Sequence, residues 1–303
     1  MSRFVQYQQF GGPEVLEIVE VEPPHPGAGQ VRVRVFAAGL NPVDFKIYHG
    51  GPAAAAYGAV VPSGVGNDFS GVIDELGEGV TDWSLGEEVL GGSRNFAEAD
   101  FVVVDAGVLT RKPAGMSFEA AGSLAVAGRT AWASVNALKL TSADTVLVSA
   151  AAGGVGVLAA QLARATGASV IGTASSANHD YLRSLGVVPV GYGDGLAERI
   201  REVSPEGITA VLDNHGPATI ETAIELGVPL DRINTIAAHG YDGVLSVGGA
   251  AATADDLSHV AQLIADGDLE LPIDSIYPLE RVREAYERLE AGHVRGKIVL
   301  VTE

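Results

Sequence analysis

The chain contains no cysteine among its 303 residues, and this absence excludes several chemistries at once. Disulfide bonds, thiol nucleophiles and zinc sites built on cysteine are all impossible. The seven histidines lack the spacing of metal ligands, and no Gly-x-Ser-x-Gly elbow is present. We therefore expect neither a metal site nor a hydrolase triad.

Basic residues are also scarce, since 19 Lys and Arg stand against 38 Asp and Glu, which gives a formal net charge of −19. A chain this acidic repels nucleic acid and anionic membranes, so we expect neither as a partner. No apolar run is long enough to span a bilayer, and the N-terminus lacks the basic-then-apolar pattern of a secretion signal. These absences favour a cytoplasmic protein whose anion sites depend on backbone amides and helix ends.

Aromatic residues make up only 6% of the chain, whereas 39 glycines are present, a composition that suits an α/β fold with tight turns. Residues 30–35 alternate polar with apolar side chains, and frequent Gly and Pro in the first third indicate a barrel or sandwich of short strands. After Ser117, strand and helix signals alternate, which indicates parallel βαβ units. The predicted fold class is α/β, with a β-rich domain beside a parallel sheet.

A glycine-rich turn separates the predicted strand 145–148 from the helix that follows it. The turn consists of Ala151, Ala152, Gly153, Gly154, Val155 and Gly156. Strand, tight turn and helix form the context that a dinucleotide fingerprint requires, although Ala151 replaces the usual first glycine. We expect Ala152 to Val155 to offer amides to a diphosphate, and Gly156 to let the helix pack closely on its strand. The alternative is a glycine-rich turn without a ligand.

The end of the second strand of this region distinguishes NADP from NAD. An NAD site has Asp or Glu about 20 residues beyond the glycines, where it binds the ribose hydroxyls. Here that place holds Ser175 and Ser176, whose hydroxyls suit a 2′-phosphate, and Tyr192 ends the next strand. We therefore expect NADPH, although the two serines alternatively serve only to cap the next helix.

Seven segments spread along the chain carry a family pattern: FGGPEVL (10–16), GLNPVDFK (39–46), GNDFSGVI (66–73), GEGV (77–80), GEEV (86–89), AGRTAW (127–132) and GHVRGKIVL (292–300). Together with the glycine-rich turn, they resemble the zinc-free quinone oxidoreductase branch of the medium-chain dehydrogenase/reductase superfamily. The resemblance implies a GroES-like catalytic domain at 1–122, completed by 268–303, and a Rossmann domain at 123–267. It also implies an active site between the two domains and a homodimer.

The resemblance further implies that no zinc is bound. Zinc-bearing relatives have a cysteine at the position of Asn41 and a His-Glu pair at the positions of Asn67 and Asp68. Without a Lewis acid, the site suits acceptors that delocalise the incoming charge themselves, namely quinones and α,β-unsaturated carbonyl compounds. The implied activity is NADPH-dependent reduction of such a small molecule.

Individual site residues follow from the matched segments. Asn41 would lie beside the nicotinamide and bind it or the substrate oxygen, while Lys46 and Tyr48 would line the pocket or supply a proton. Thr130 matches a cofactor contact, with a helix N-cap as its alternative role, and Gly248 begins a candidate second turn on the nicotinamide side.

Some assignments stay open on the sequence. Asp44 is either catalytic or structural, and Asp213 is placed at the carboxyl edge of the Rossmann sheet, where ligands bind. Segment 214–247 is atypical for the family. Two other functions therefore remain, an NADPH-binding redox sensor or structural protein with little turnover, and an enoyl-thioester reductase.

Overall fold

The computed structural model describes residues 1–302. The strands are β1 (Ser2–Tyr7), β2 (Glu17–Val21), β3 (Gln30–Gly39), β4 (Ser63–Gly64), β5 (Asp68–Leu76), β6 (Glu88–Gly92), β7 (Phe101–Asp105), β8 (Thr110–Arg111), β9 (Thr145–Val148), β10 (Ser169–Thr173), β11 (Val188–Val190), β12 (Ala210–Asp213), β13 (Ile233–Thr235), β14 (Ile273–Pro278) and β15 (Lys297–Val301). The helices are α1 (Pro42–Tyr48), α2 (Gly51–Ala56), α3 (Phe118–Ala121), α4 (Ala125–Leu138), α5 (Gly154–Ala165), α6 (His179–Ser184), α7 (Leu196–Val203), α8 (Pro217–Glu225), α9 (Ala254–Ala265) and α10 (Val282–Glu290).

The chain forms two compact units. The first unit comprises Met1–Val126, Leu257–Ala265 and Pro272–Glu303, and the second comprises Ala127–Asp256 and Asp266–Leu271. Residues 257–265 belong to the first unit, whereas the family resemblance implies a Rossmann domain that extends to residue 267. In the described part of the chain, no helix is long and apolar enough to cross a bilayer.

The first unit is built around β3, the ten-residue strand at the centre of its large sheet. The strand order is β14-β15-β3-β5-β6-β8, and β7 pairs with the N-terminal half of β3. The predicted alternation holds, because Val31, Val33 and Val35 are buried in a core cluster while Arg34 is exposed. A smaller sheet, β2-β1-β4, packs its buried Val5 and Tyr7 into a second core cluster with residues of α1 and α10.

The second unit contains a five-stranded sheet in the order β11-β10-β9-β12-β13, in which every neighbouring pair is parallel. The predicted βαβ alternation is therefore confirmed. The carboxyl ends of parallel strands lie at one edge of the sheet, which brings together the segments that follow β9, β10, β11 and β12. The glycine-rich turn, Ser175, Ser176 and Tyr192, all predicted to bind the cofactor, follow these strands at the carboxyl edge.

The atypical segment 214–247 supplies α8 and β13 and ends the sheet. Beyond β13, Leu245 forms only an isolated parallel bridge with Asn234. The side chain of Asn234 continues the pairing, since its Nδ2 donates to the Val247 carbonyl at 2.9 Å and its Oδ1 accepts from the Val247 amide at 2.8 Å. The two side-chain hydrogen bonds of Asn234 thus stand where a longer strand would form backbone hydrogen bonds with β13.

Candidate functional site

The glycine-rich turn lies between β9 and α5, with its backbone tied to β10. The amide of Ala150 donates to Thr173 Oγ1 at 3.1 Å, and the amide of Ala151 donates to the Thr173 carbonyl at 2.9 Å. Ala150 itself has a φ of +48°, in the left-handed region that favours glycine. Helix α5 begins at Gly154, with Gly153 as its N-cap.

The two glycines that frame the start of α5 have different surroundings. A Cβ on Gly156 would lie 2.1 Å from the carbonyl oxygen of Ala150, so only glycine permits this close packing of helix on turn. A Cβ on Gly153 would meet only that same oxygen, at 3.3 Å, and Gly153, Gly154 and Val155 are partly exposed. Ala152 is buried, at 5% exposure. The first amides of a helix have no intrahelical acceptor and carry the positive end of its dipole, so this partly open turn fits a diphosphate.

The ends of β10 and β11 carry the hydroxyl groups expected beside the cofactor ribose. Ser175 is partly exposed and Ser176 is exposed directly after β10, with no carboxylate among residues 174–176. Tyr192 follows β11 and is 51% exposed. The carboxyl edge thus presents three hydroxyl groups and no acid where an NAD site has one.

An arginine that sequence reasoning missed holds the loop that carries Tyr192. The Arg199 guanidinium donates to the carbonyl oxygens of Gly191 at 2.9 Å, Gly193 at 2.9 Å and Asp194 at 2.8 Å. Arg199 follows the loop on α7, and nothing in its local sequence distinguishes it from a solvent-exposed arginine. These three hydrogen bonds hold the backbone on both sides of Tyr192.

Thr130 and the turn at Gly248 lie together in the second unit. Thr130 is the sixth residue of α4 and 8% exposed, so its alternative role as an N-cap is wrong. A Cβ on Gly249 would lie 2.9 Å from Thr130 Oγ1, which shows that the Gly248–Gly249 backbone packs directly on this hydroxyl. Thr130, predicted as a cofactor contact, and Gly248, predicted on the nicotinamide side, therefore share one location.

Asp213 lies at the carboxyl edge, as its position on β12 predicts, but its carboxylate is fully engaged. It accepts from Ser149 Oγ at 3.0 Å, from Thr235 Oγ1 at 2.7 Å, and from the amides of His215 at 3.0 Å and Gly216 at 2.9 Å. These bonds join the ends of β9, β12 and β13. Asp213 consequently shapes the edge and has little capacity left for a ligand.

In the first unit, Asn41 stands at the N-terminus of α1 inside a buried polar cluster. Its Nδ2 donates to the Gly39 carbonyl at 3.2 Å and to Asp68 Oδ2 at 3.0 Å. Its Oδ1 accepts from Lys297 Nζ at 2.5 Å, and Lys297 also pairs with Asp68 at 3.3 Å. Both amide hydrogens of Asn41 are thus donated within the unit, so its remaining capacity toward a ligand is as an acceptor.

The cluster contains two buried carboxylates held by nearby donors. Asp44 accepts from the backbone amide of Asn41 at 2.7 Å and from the side chain of Asn67. Burial raises the pKa of Asp44 to about 7, against the opposing effect of these two donors. Burial also raises the pKa of Asp68, although the ammonium of Lys297 counteracts it. Each carboxylate oxygen of Asp44 accepts a hydrogen bond from a neighbouring residue, which supports its structural alternative.

Lys297 has a central place that the sequence analysis did not assign. It is 4% exposed and opens β15, where it is followed by the apolar residues 298–301. A lysine at the start of a buried strand is a signal, because buried ammonium groups need a carboxylate partner. The partner, Asp68, is 229 residues away in sequence, which hides the pair from local patterns.

Lys46 and Tyr48, both on α1, have opposite surroundings. Lys46 is exposed. Tyr48 is fully buried, donates to Glu290 Oε1 at 2.6 Å, and packs edge-on against Tyr286 with ring centroids 5.1 Å apart. Burial also raises the pKa of the Tyr48 hydroxyl. This position gives no support to the expectation that Tyr48 lines a pocket or supplies a proton, because its side chain belongs to the core.

The residues at the family's zinc positions do not suit a zinc ion. Asn41 and Asn67 offer amides, which do not replace thiolate and imidazole as ligands. Asp68 is already paired with the ammonium of Lys297. Across residues 1–302, no group of three or more His, Asp or Glu side chains is arranged to hold a metal.

Two family models match the chain, one in each part of the sequence. Residues 27–125 match the alcohol dehydrogenase GroES-like domain, and residues 187–300 match the zinc-binding dehydrogenase family. The first range contains the Asn41 cluster except for Lys297. The second contains Tyr192, Arg199 and the last strands of the parallel sheet.

Individual relatives cover nearly the whole chain. It is 30% identical, over an alignment of 330 positions including gaps, to the quinone oxidoreductase of Pseudomonas aeruginosa, covering 99% of this chain and 100% of that protein. It is 31% identical over 322 residues to a mycocerosic acid synthase-like polyketide synthase of Mycobacterium tuberculosis, covering 98% of this chain but 15% of that protein. The structure of the quinone oxidoreductase from Coxiella burnetii matches with a TM-score of 0.87 at 31% identity, covering 100% of this chain and 99% of that one.

Proposed function

The chain belongs to the quinone oxidoreductase branch of the medium-chain dehydrogenase/reductase superfamily, and from this premise we propose that it is an NADPH-dependent reductase of quinones or α,β-unsaturated carbonyl compounds. When bound, the reduced nicotinamide supplies a hydride, and the acceptor takes up this hydride together with a proton. The observation that carries the proposal is the partly open helix N-terminus at Gly153, placed at the carboxyl edge of a parallel sheet.

The second unit supplies the residues for holding the nucleotide. Ala152, Gly153, Gly154 and Val155 would bind the diphosphate through backbone amides and the helix dipole. Ser175, Ser176 and Tyr192 would bind a 2′-phosphate, since hydroxyl groups donate to phosphate whereas a carboxylate repels it. Thr130 and Gly248 would contact the nicotinamide side. The preference for NADPH over NADH rests on these hydroxyls.

We further propose that the reaction needs no metal. The ammonium of Lys297 neutralises Asp68 and fixes Asn41 at the positions where relatives place zinc ligands. A conjugated acceptor spreads the incoming charge over its own π system, so it depends less on a Lewis acid than a simple aldehyde does. Asn41 keeps its proposed contact with the cofactor through Oδ1, and Lys46 stays the exposed candidate for lining the substrate pocket.

A second candidate substrate is an enoyl thioester. The sequence leaves this alternative open, and the chain matches a segment of a mycocerosic acid synthase-like polyketide synthase over 98% of its own length. The hydride chemistry is the same in both cases, because an enoyl thioester is also an α,β-unsaturated carbonyl compound. Only the size and charge of the acceptor differ.

Two measurements test the proposal. Calorimetric titration should show tighter binding of NADPH than of NADH, and the opposite order would overturn the cofactor assignment. NADPH oxidation should then be followed with a benzoquinone, an unsaturated ketone and an enoyl-coenzyme A, with and without a chelator. Binding without turnover on any acceptor would indicate a redox sensor or structural protein, and loss of activity with the chelator would refute the metal-free claim.

A further inference from the structure

One stretch of the first unit is apolar and exposed in a chain that is otherwise rich in acids. Residues 50–62 include no charged side chain, although the chain as a whole has a net charge of −19. After the short helix α2, Tyr57 is 42% exposed, Val60 73% and Val61 41%. Exposed apolar residues grouped in this way mark binding surfaces more often than isolated ones do.

A second loop, which follows β6, adjoins this stretch. The guanidinium of Arg94 lies over the ring of Tyr57, 5.6 Å from its centroid. A Cβ on Gly64, in β4 directly after this stretch, would lie 2.3 Å from the carbonyl oxygen of Asn95, so the second loop packs closely against β4. Phe96 is 51% exposed and stacks on Phe4 at 5.8 Å. We name the surface formed by Tyr57, Val60, Val61, Arg94 and Phe96 the Tyr57–Arg94 face.

Arg94 differs from two other arginines that lie over aromatic rings, because each of those two also forms an ion pair with an acid. Arg111 lies over Trp83 and pairs with Glu87, and Arg281 lies over Tyr277 and pairs with Glu284. Arg94 is exposed, and within the described residues it forms no ion pair with a carboxylate.

Although the chain has twice as many acidic as basic residues, the charge of Arg94 has no acid partner among the described residues. The positive charge of Arg94 is therefore available to an anion, and it lies over the ring of Tyr57.

The face is linked to the buried cluster of the same unit through short connections. The amide of Ser93 donates to the Asn67 carbonyl at 2.9 Å, and the Asn67 side chain donates to Asp44. On its other side, α2 follows α1, whose N-cap is Asn41. Ser93, the neighbour of Arg94 in the chain, is thus connected through Asn67 to the cluster that contains the proposed cofactor contact Asn41.

We propose that the Tyr57–Arg94 face binds an amphiphilic anion, with an alkyl or aryl body on Tyr57, Val60 and Phe96 and a carboxylate or similar group on Arg94. The substrate part of this inference rests on the proposed function: the acceptor is an unsaturated carbonyl compound that carries such an anionic group. A second copy of the chain fits the face less well, because a two-fold contact here would bring two Arg94 side chains together.

The binding test uses the full chain without nucleotide, so it does not depend on turnover. Decanoate and decyltrimethylammonium should each be titrated, below their micelle concentrations, against bound anilinonaphthalene sulfonate, with displacement followed by fluorescence. Decanoate should bind more tightly. Arg94→Gln should weaken decanoate binding about threefold to fivefold, the range for one exposed charge contact, and leave decyltrimethylammonium unchanged or improved.

Matched variants separate the two parts of the face. Arg281→Gln removes an exposed arginine from another tyrosine ring and should leave both affinities unchanged. Val60→Ser should weaken both amphiphiles alike, because it removes apolar contact without changing charge. Equal affinity for the two amphiphiles in the unmodified protein, or an Arg94→Gln variant identical to it, would overturn the proposal. The proposal would also be overturned if the protein bound no decanoate and instead formed a dimer that Val60→Ser dissociates.

The substrate assignment has its own readout. With an unsaturated keto acid and its methyl ester as acceptors, Arg94→Gln should raise KM for the acid about threefold to fivefold and leave kcat and the ester unaffected. Equal KM changes for acid and ester would refute the substrate assignment. A protein that binds decanoate but reduces no acceptor would refute the proposed function and leave the anion site intact.

Discussion

Gly153 and Gly156 lie three residues apart at the start of α5, and their substitution by alanine should separate ligand binding from packing. At Gly156 the new Cβ would lie 2.1 Å from the Ala150 oxygen, 2.8 Å from its carbonyl carbon and 3.0 Å from the Ala151 Cα. All three are backbone atoms, so no flexible side chain can move aside. At Gly153 the only close atom is the Ala150 oxygen at 3.3 Å, and φ is an ordinary −80°.

These distances predict that the two substitutions differ in their effect on the free energy of unfolding. Overpacking at Gly156 should lower the free energy of unfolding by about 1–3 kcal/mol, partly offset by the better helix propensity of alanine, about 1 kcal/mol. Gly153→Ala should stay within about 1 kcal/mol of the unmodified protein, because the lower chain entropy of unfolded alanine offsets a tight contact. Gly107 has open space around it, so Gly107→Ala serves as the neutral control.

Nucleotide binding should follow a different order. If a diphosphate approaches the backbone at Gly153, a methyl group there should weaken NADPH binding at least about tenfold, or about 1.4 kcal/mol. Urea unfolding followed by tryptophan fluorescence gives the stability, and calorimetric titration with NADPH gives the affinity. A Gly153→Ala variant that binds NADPH as tightly as the Gly107→Ala control would refute the assignment of this turn to the diphosphate.

Three further predictions concern the buried cluster and the hydroxyl groups. Lys297→Met leaves Asp68 buried without its partner and should lower the free energy of unfolding by about 3–5 kcal/mol in urea; a loss below about 1 kcal/mol would contradict the ion pair. Since the pKa of Asp44 rises from 3.8 to about 7 on folding, the folded state holds this proton more tightly. Its contribution should therefore make stability fall as pH rises from about 4 to 7, and Asp44→Asn should flatten that dependence in urea melts at several pH values, an unchanged slope being the contrary result. The double variant Ser176→Ala, Tyr192→Phe should weaken NADPH about threefold to tenfold and leave NADH unchanged; equal weakening of both nucleotides in calorimetry would argue against a 2′-phosphate contact.

The sequence alone predicted those structural features that depend on patterns among neighbouring residues. The alternation in 30–35 predicted the central strand of the first unit, and the strand–turn–helix order around Gly153 predicted the parallel sheet and its glycine-rich turn. The GroES-like and Rossmann fold class is confirmed by the family matches. The strand and the glycine-rich turn depend on neighbours within a few residues, where side-chain period and backbone sterics act directly, whereas the GroES-like class came from the family resemblance.

Only the tertiary structure decided which side chains are available for chemistry. Tyr48 lies only seven residues after Asn41 in the chain, yet its side chain is buried in the core, where it donates to Glu290, 242 residues away. Lys297 reaches Asn41 across 256 residues, and Arg199 orders the Tyr192 loop through carbonyl oxygens that carry no sequence signature. Burial and hydrogen bonding are set by whichever segments the fold brings together, so a local pattern specifies a helix or a turn but not the partners of its side chains.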